Sequence, residues 1–275
     1  MLLLKTWFAM VLSLVFLLWS GNSKAAEHVI ADSSAEPWQF QREAEVLTQL
    51  PKLEQQAVTE HKLLLVVLGA TWCHDSIKLL EHFNQSAMAQ ALKQRFAMAF
   101  VDVAYLEFGQ AVTTRYQLPL YYGTPMVLII EPKTRQLLNK TDLMHWTNAA
   151  AFEVAAYRQY FLQTDFVAQF AKQQQALAGV KPQHLVQINQ FEQQQAAQLM
   201  LDYQQLAPLL KAYKTSGQPA SPEFKTRWDK VKAFRSNILP EVHKLQQQAI
   251  TLAPGEILAL PVSVAGDEQT GVNAG

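Results

Sequence analysis

The stretch LLLVVLGATWCHDS, residues 63–76, decides how this chain is read. Lys62 is followed by an unbroken apolar run of six residues, 63–68, which by length and β-branching predicts a buried strand over 62–68. Gly69, Ala70 and Thr71 then turn the chain, and helical spacing begins near Asp75. Cys73 sits at that strand-to-helix turn, directly after Trp72, and it is the only cysteine in 275 residues. Such a turn is where a reactive thiol is usually built. Three residues on, where a second thiol would complete a redox pair, stands Ser76.

Working outward, the pattern predicts helix, strand, helix, strand. Residues 43–60 have helical spacing, with a break expected at Pro51. A helix is expected over 75–95, with Ile77, Leu80, Phe83, Met88 and Leu92 on one side. Residues 96–103 read as a second buried strand and 107–116 as a short helix. Thr124 and Pro125 open a third apolar strand over 126–130, and a fourth is expected over 136–143. Thr147 or Asn148 caps the next helix. The order β-α-β-α-β-β-α, with helices between parallel strands, is that of an α/β fold.

From about residue 150 glutamine becomes frequent and the spacing stays helical. Helices are expected over 148–177, 183–213 and 222–251, with Pro182, Pro208, Pro219 and Pro240 as breaks. Leu199, Tyr203, Leu206, Leu210 and Tyr213 form a stripe that suits helix pairing, either in a homodimer or back onto the domain. Residues 254–275 read as a disordered tail.

The N-terminus predicts a signal peptide over 1–25. Lys5 supplies the positive charge, residues 7–19 carry none, and Ser23, Lys24 and Ala25 offer small residues before a cut at Ala26. Residues 26–37 read as a flexible leader. A periplasmic or secreted location follows, and with the leader removed the chain is not membrane-embedded. The whole chain has 23 basic and 23 acidic residues, and losing Lys5 and Lys24 leaves it slightly acidic. That is no footprint for nucleic acid. The histidines His28, His61, His74, His82, His145, His184 and His243 show no metal-ligand spacing. No phosphate loop and no serine nucleophile motif occurs, and no cofactor is expected.

Four features together carry a resemblance: the apolar strand, the Trp-Cys-x-x-Ser run after it, the helix that follows, and Thr124-Pro125 at the start of a later strand. On these the chain resembles the thioredoxin-like superfamily, in a single-cysteine form, over residues 38–165. The helical extension, 166–253, lies outside that resemblance. The resemblance implies a thioredoxin-like fold, a cis Pro125 against Cys73, and a Thr124 backbone that pairs with bound substrate. It places Trp72 on the motif surface. It also implies that Tyr121 and Tyr122 lie near Cys73, where they could line an apolar groove for a client. Two departures stand out. Ser76 replaces the resolving cysteine, and Val67 stands where thioredoxins bury a carboxylate.

The thiolate is the nucleophile of disulfide exchange, and a helix N-terminus favours it. Ser76 is expected to donate a hydrogen bond to the sulfur and a protonated His74 to tune it, while Asp75 opposes ionisation. Ser76 cannot attack a mixed disulfide, so the expected activity is exchange with a client protein or a small thiol (shuffling, trapping or capping of cysteines), not dithiol oxidation or reduction. The alternative is a redox-inactive binding or assembly module with its partner site on the C-terminal helices.

Overall fold

The computed structural model describes residues 36–253 and 256–261. The expected signal peptide, all but the end of the leader, and the tail apart from 256–261 lie outside the described residues. Leu258, in the expected disordered tail, is instead buried against Val180, Ile188, Phe191, Val242 and Leu245. Among the described residues no helix is long and apolar enough to cross a membrane.

The chain enters through a two-residue edge strand that the sequence pattern missed, β1 (Gln41–Arg42), and continues into α1 (Glu43–Thr59). Pro51 lies inside α1 and does not break it. The proline forfeits one backbone bond, but Val46, Leu50, Glu54 and Ala57 bury one continuous face that carries the helix through. Next come β2 (Leu63–Gly69), α2 (His74–Phe83), α3 (Ser86–Arg95) and β3 (Phe96–Asp102). The single helix expected over 75–95 is two. Asn84 ends the first because its side chain is used elsewhere: Oδ1 accepts from Trp38 N at 2.8 Å and Nδ2 donates to Trp38 O at 3.0 Å.

The short helix α4 (Gln110–Arg115) leads to β4 (Met126–Glu131) and β5 (Gln136–Leu137). The fourth strand is far shorter than 136–143 suggested. Its continuation is replaced by the Asn139 side chain, which accepts from Ile129 N at 2.8 Å and donates to Val127 O at 2.9 Å. No regular helix starts at Thr147 or Asn148. A 3-10 segment spans His145–Ala151, then α5 (Val154–Arg158), a π-turn (Gln159–Gln163) and α6 (Phe166–Leu177).

The sheet order is β1-β3-β2-β4-β5, with β1, β3 and β2 parallel, β4 antiparallel to β2, and β5 antiparallel to β4. One register detail positions everything that follows: Leu68 on β2 faces Met126 on β4. Because that pair is antiparallel, the chain leaving β2 toward Cys73 and the chain arriving from Thr124 meet at one end of the sheet. Both faces of β2 are covered, as its unbroken apolar run requires. Leu64, Val66 and Leu68 face one core cluster, Leu65 and Val67 the other. Val67 belongs there to the same cluster as Phe83, Phe100 and Trp146.

The long connection from β3 to β4 is anchored by Glu54, whose buried carboxylate receives Arg115 at 2.7 Å, Tyr116 Oη at 3.0 Å and Arg135 at 3.0 Å. Burial pushes this carboxyl up, but the bonds from Arg115, Tyr116 and Arg135 outweigh it and hold it below the ordinary value.

The extension is a helical hairpin, α7 (Pro182–Ser216) and α8 (Pro222–Thr251). Pro182 and Pro222 start these helices, as prolines do at a first position. Pro208 and Pro240 lie inside them and break neither. The turn between the two uses Gly217 at φ 67 and Ser221, whose Oγ accepts from Phe224 N at 3.1 Å. The stripe Leu199, Tyr203, Leu206 and Leu210 is buried in the same cluster as Leu64, Val66 and Leu68. It therefore packs back onto the domain, and each such side chain contributes roughly 1.5–3 kcal/mol. Two polar links fix the seam. Tyr203 Oη donates to Tyr121 O at 3.3 Å, and Glu192 accepts from Tyr122 Oη at 2.9 Å and Lys140 Nζ at 2.5 Å. The described residues from Glu36 onward cluster into one compact unit.

Candidate functional site

Cys73 is the N-cap residue of α2, in extended backbone conformation (φ −92, ψ 116). Its amide donates to Ala70 O at 3.1 Å and its carbonyl accepts from Ile77 N at 3.0 Å, so the turn and the first helical bond both hold it. The thiol is half-buried. Sγ donates to Thr124 O at 3.3 Å, and Thr124 Oγ1 donates to Sγ at 3.5 Å. The Thr124–Pro125 peptide bond is cis. Two residues 51 apart in sequence thus meet through the β2–β4 register. The hydroxyl can serve the sulfur whether it is a thiol or a thiolate, whereas the carbonyl serves only the thiol.

The partners expected around the sulfur are only partly brought together. Trp72 lines the same cleft and is fixed by its Nε1 donating to Ala104 O at 2.6 Å. His74 is exposed at the cleft edge. Asp75 also reaches the cleft, but Oδ1 is engaged by Ala150 N at 2.9 Å, tying α2 to the 3-10 segment.

Ser76 does not donate to Sγ. Its side chain is fully buried and Oγ has no hydrogen-bond partner among the described residues. The oxygen points back at the end of β2, where a Cβ on Gly69 would come within 2.9 Å of it. Tyr121 and Tyr122 do not line the cleft either. Both are fully buried beneath α7, where Tyr121 stacks on Tyr203 at 5.3 Å and Tyr122 bonds Glu192. Burial pushes both phenols up, aided at Tyr121 by Tyr203 and at Tyr122 by Glu192.

The cleft has walls that the sequence reading missed. The end of α7 contributes Leu210, Tyr213 and Lys214, and the start of α8 contributes Phe224, Trp228, Lys232 and Arg235. With Thr147 and Asn148 from the 3-10 segment they enclose about 570 Å³ above Cys73 and Thr124. Gly123 lets that segment close in, since a Cβ there would meet the Thr147 methyl at 2.6 Å. A chain of aromatic contacts runs along the wall: Tyr213 to Phe224 at 4.9 Å, Phe224 to Trp228 at 5.7 Å, and Trp228 to Trp72 at 6.3 Å, edge-on. The signal was present as Phe224, Trp228 and Arg235, spaced four and seven residues apart on one helix face. It read as ordinary amphipathicity because the motif lies about 150 residues away.

Three cations face this space. Lys214 Nζ lies 5.8 Å from the Trp72 ring and Arg235 lies 5.3 Å from the Trp228 ring. Lys232 completes the set. None of the three makes a salt bridge among the described residues. No group of three or more metal-ligating side chains occurs among the described residues.

The thioredoxin-like family matches residues 46–132, the span from α1 through β4 that carries both Cys73 and Pro125. This segment is a thioredoxin-like domain. A solved structure similar to the chain is that of a disulphide isomerase from Xylella fastidiosa Temecula1, 21% identical, with a TM-score of 0.41 over 47% of this chain and 96% of that one. No curated protein sequence matches the chain. The thioredoxin-like domain supplies the sulfur and the cis-prolyl segment; the cleft over them is completed by α7 and α8, outside the matched residues.

Proposed function

We propose that this is a periplasmic or secreted monothiol protein that exchanges disulfides through Cys73, rather than a dithiol oxidase or reductase. The observation that carries the reading is the Cys73 sulfur, half-buried at the floor of an open cleft and held by both oxygens of Thr124 beside a cis-prolyl bond. A buried structural cysteine would have no cleft above it.

The step is a displacement at sulfur. The Cys73 thiolate attacks one sulfur of an incoming disulfide, a new S–S bond forms, and the old one breaks. The departing sulfur keeps the bonding electrons and takes a proton from solvent. Thr124 Oγ1 donates to the attacking sulfur, and the free first-turn N–H groups of α2 favour the anion. With Ser76 in the resolving position the mixed disulfide persists until an outside thiolate attacks it. His74, at the cleft edge, is the nearest titratable side chain in sequence.

The test is direct. Cells are quenched with acid and thiol-blocking reagent, and the intact protein is weighed without reductant. A reductant-sensitive adduct on Cys73, missing in Cys73→Ala, is the expected result. A thiol recovered wholly free, which also reacts with Ellman's reagent no faster in the folded than in the urea-unfolded protein, would overturn the proposal. It would leave the redox-inactive binding module.

A further inference from the structure

We infer that the α7–α8 wall is a binding site for a carboxylate-bearing small thiol, or its disulfide, which serves as the exchange partner of Cys73. The inference rests on the exchange reading above and names its co-reactant. Arg235 is 9% exposed, lines the cleft and lies beside the Tyr203 hydroxyl, while its Nη1 has no hydrogen-bond partner among the described residues. A buried guanidinium nitrogen without an acceptor is costly, and native structures normally satisfy such groups. The guanidinium charge at the cleft wall attracts a carboxylate into that space, and arginine favours fork geometry with such a group. Lys214 and Lys232 flank the same space from α7 and α8, without carboxylate partners among the described residues. Against these cations the lining holds one acid, Asp75, already engaged by Ala150 N.

The size of the space points to a small molecule. About 570 Å³ falls within the range of roughly 300–1,000 Å³ typical of small-ligand clefts. The aromatic rings of Trp72, Phe224 and Trp228 offer apolar contact to the body of the ligand while the cations take its carboxylates. Chemistry points the same way. Because Ser76 cannot resolve the adduct, the second thiol must come from outside and must reach a sulfur that sits beneath two helices. In the forward step Cys73 S⁻ and R–S–S–R give Cys73–S–S–R and R–S⁻. In the reverse step a second R–S⁻ attacks the R sulfur and releases Cys73 S⁻. Atoms and electrons balance with no other reactant.

The experiment uses the whole protein with three disulfides of differing charge: oxidised glutathione (anionic), 2-hydroxyethyl disulfide (neutral) and cystamine (cationic). Adduct formation at Cys73 is followed by mass. At low salt, oxidised glutathione is expected to outpace cystamine by roughly tenfold or more, a preference that the three cations of the lining support and that ~0.5 M salt compresses. The ratio should fall toward unity in Lys214→Glu/Lys232→Glu, whose exposed positions tolerate charge reversal without loss of fold. Arg235→Gln should lower it as well. In a second arm S-methylglutathione, which cannot exchange, is titrated in while the fluorescence of Trp72 and Trp228 is read. Saturable quenching, weakened in the double variant, is expected. Equal rates with all three disulfides and no quenching overturn this inference and leave the exchange reading standing. No adduct with any disulfide overturns both. Displacement of S-methylglutathione by a hexaglutamate peptide at lower concentration overturns the small-thiol assignment in favour of an acidic chain.

Discussion

Replacing Ser76 by alanine separates two views of the residue that stands in the resolving position. If its hydroxyl served the sulfur, removing it would slow Cys73. The geometry says otherwise: Oγ is fully buried, turned toward Gly69, and without a partner. A buried hydroxyl left unpaired costs about 1–3 kcal/mol. Alanine removes that cost and gains a few tenths of a kcal/mol in helix propensity. The void left by one oxygen, on the order of 10–15 Å³, costs roughly 0.3 kcal/mol at about 24 cal/mol per Å³. The balance is a stabilisation of about 1 kcal/mol, or roughly 2–4 °C in Tm for a chain of this size. Scanning calorimetry reads the first quantity. Iodoacetamide alkylation at neutral pH reads the second, and its rate should stay within about twofold of the parent, since no bond to sulfur is lost. A Tm lower by several degrees together with a roughly tenfold slower alkylation would refute the reasoning, because both would mean that the hydroxyl is bonded to Sγ.

Two further outcomes test the seam that carries the cleft wall. Glu192→Ala leaves the buried Tyr122 hydroxyl without its acceptor and Lys140, whose side chain is 26% exposed, without its counter-ion, which should cost about 1–3 kcal/mol; urea denaturation should still show one transition, and a loss under about 0.5 kcal/mol would contradict the role given to this carboxylate. His243 lies in the same seam, where burial, and then the nearby Lys140 charge, hold its pKa below 6.5, against the opposing pull of Glu192 and Asp142. The unfolded chain therefore takes up a proton before the folded one does, so stability is full above about pH 6.5 and falls as pH drops toward the folded value, by up to ~1.4 kcal/mol per pH unit. Urea midpoints between pH 7 and 5 should show that fall in the parent and a flatter curve in His243→Gln; parallel curves would remove His243 as its source.

The parts of this molecule that were legible in the sequence are those whose cause is local. The run of residues 63–68 reads as a buried strand because it is short, is bounded by Lys62 and Gly69, and carries two β-branched valines, which decides against a buried helix segment. Cys73 at the turn and Thr124-Pro125 before the next strand follow from those boundaries. The misjudged elements have causes outside the local pattern. Asn84 ends a helix because of Trp38, and Asn139 ends a strand because its own amide completes the ladder of β4. Pro208 and Pro240 fail to break their helices because each helix is held along most of its length, by packing against the domain and against the other. Tyr121 and Tyr122 sit in a loop with no period to say which way they face, and Tyr203 and Glu192, some 70 to 80 residues on, turn them inward. The cleft wall was illegible for the same reason, since Trp228 and Arg235 acquire meaning only when α8 is laid beside Trp72.

The missing second thiol and the added helical wall bear on one quantity under the proposed reading, the lifetime of the mixed disulfide at Cys73. In a two-cysteine site that lifetime is set by an internal attack, which is fast for any client because the resolving thiol is always adjacent. With Ser76 there instead, it is set by how often an external thiolate reaches a sulfur that lies under α7 and α8. The wall then acts in opposite directions on different thiols. It obstructs a cysteine carried on a folded surface, which must bring its neighbouring residues along. It raises the local concentration of a small anionic thiol, because Lys214, Lys232 and Arg235 face the approach without carboxylate partners among the described residues. Selectivity among thiols, which a bare thioredoxin-like domain would leave to the client, thereby comes to rest on residues more than 130 positions beyond the cysteine itself.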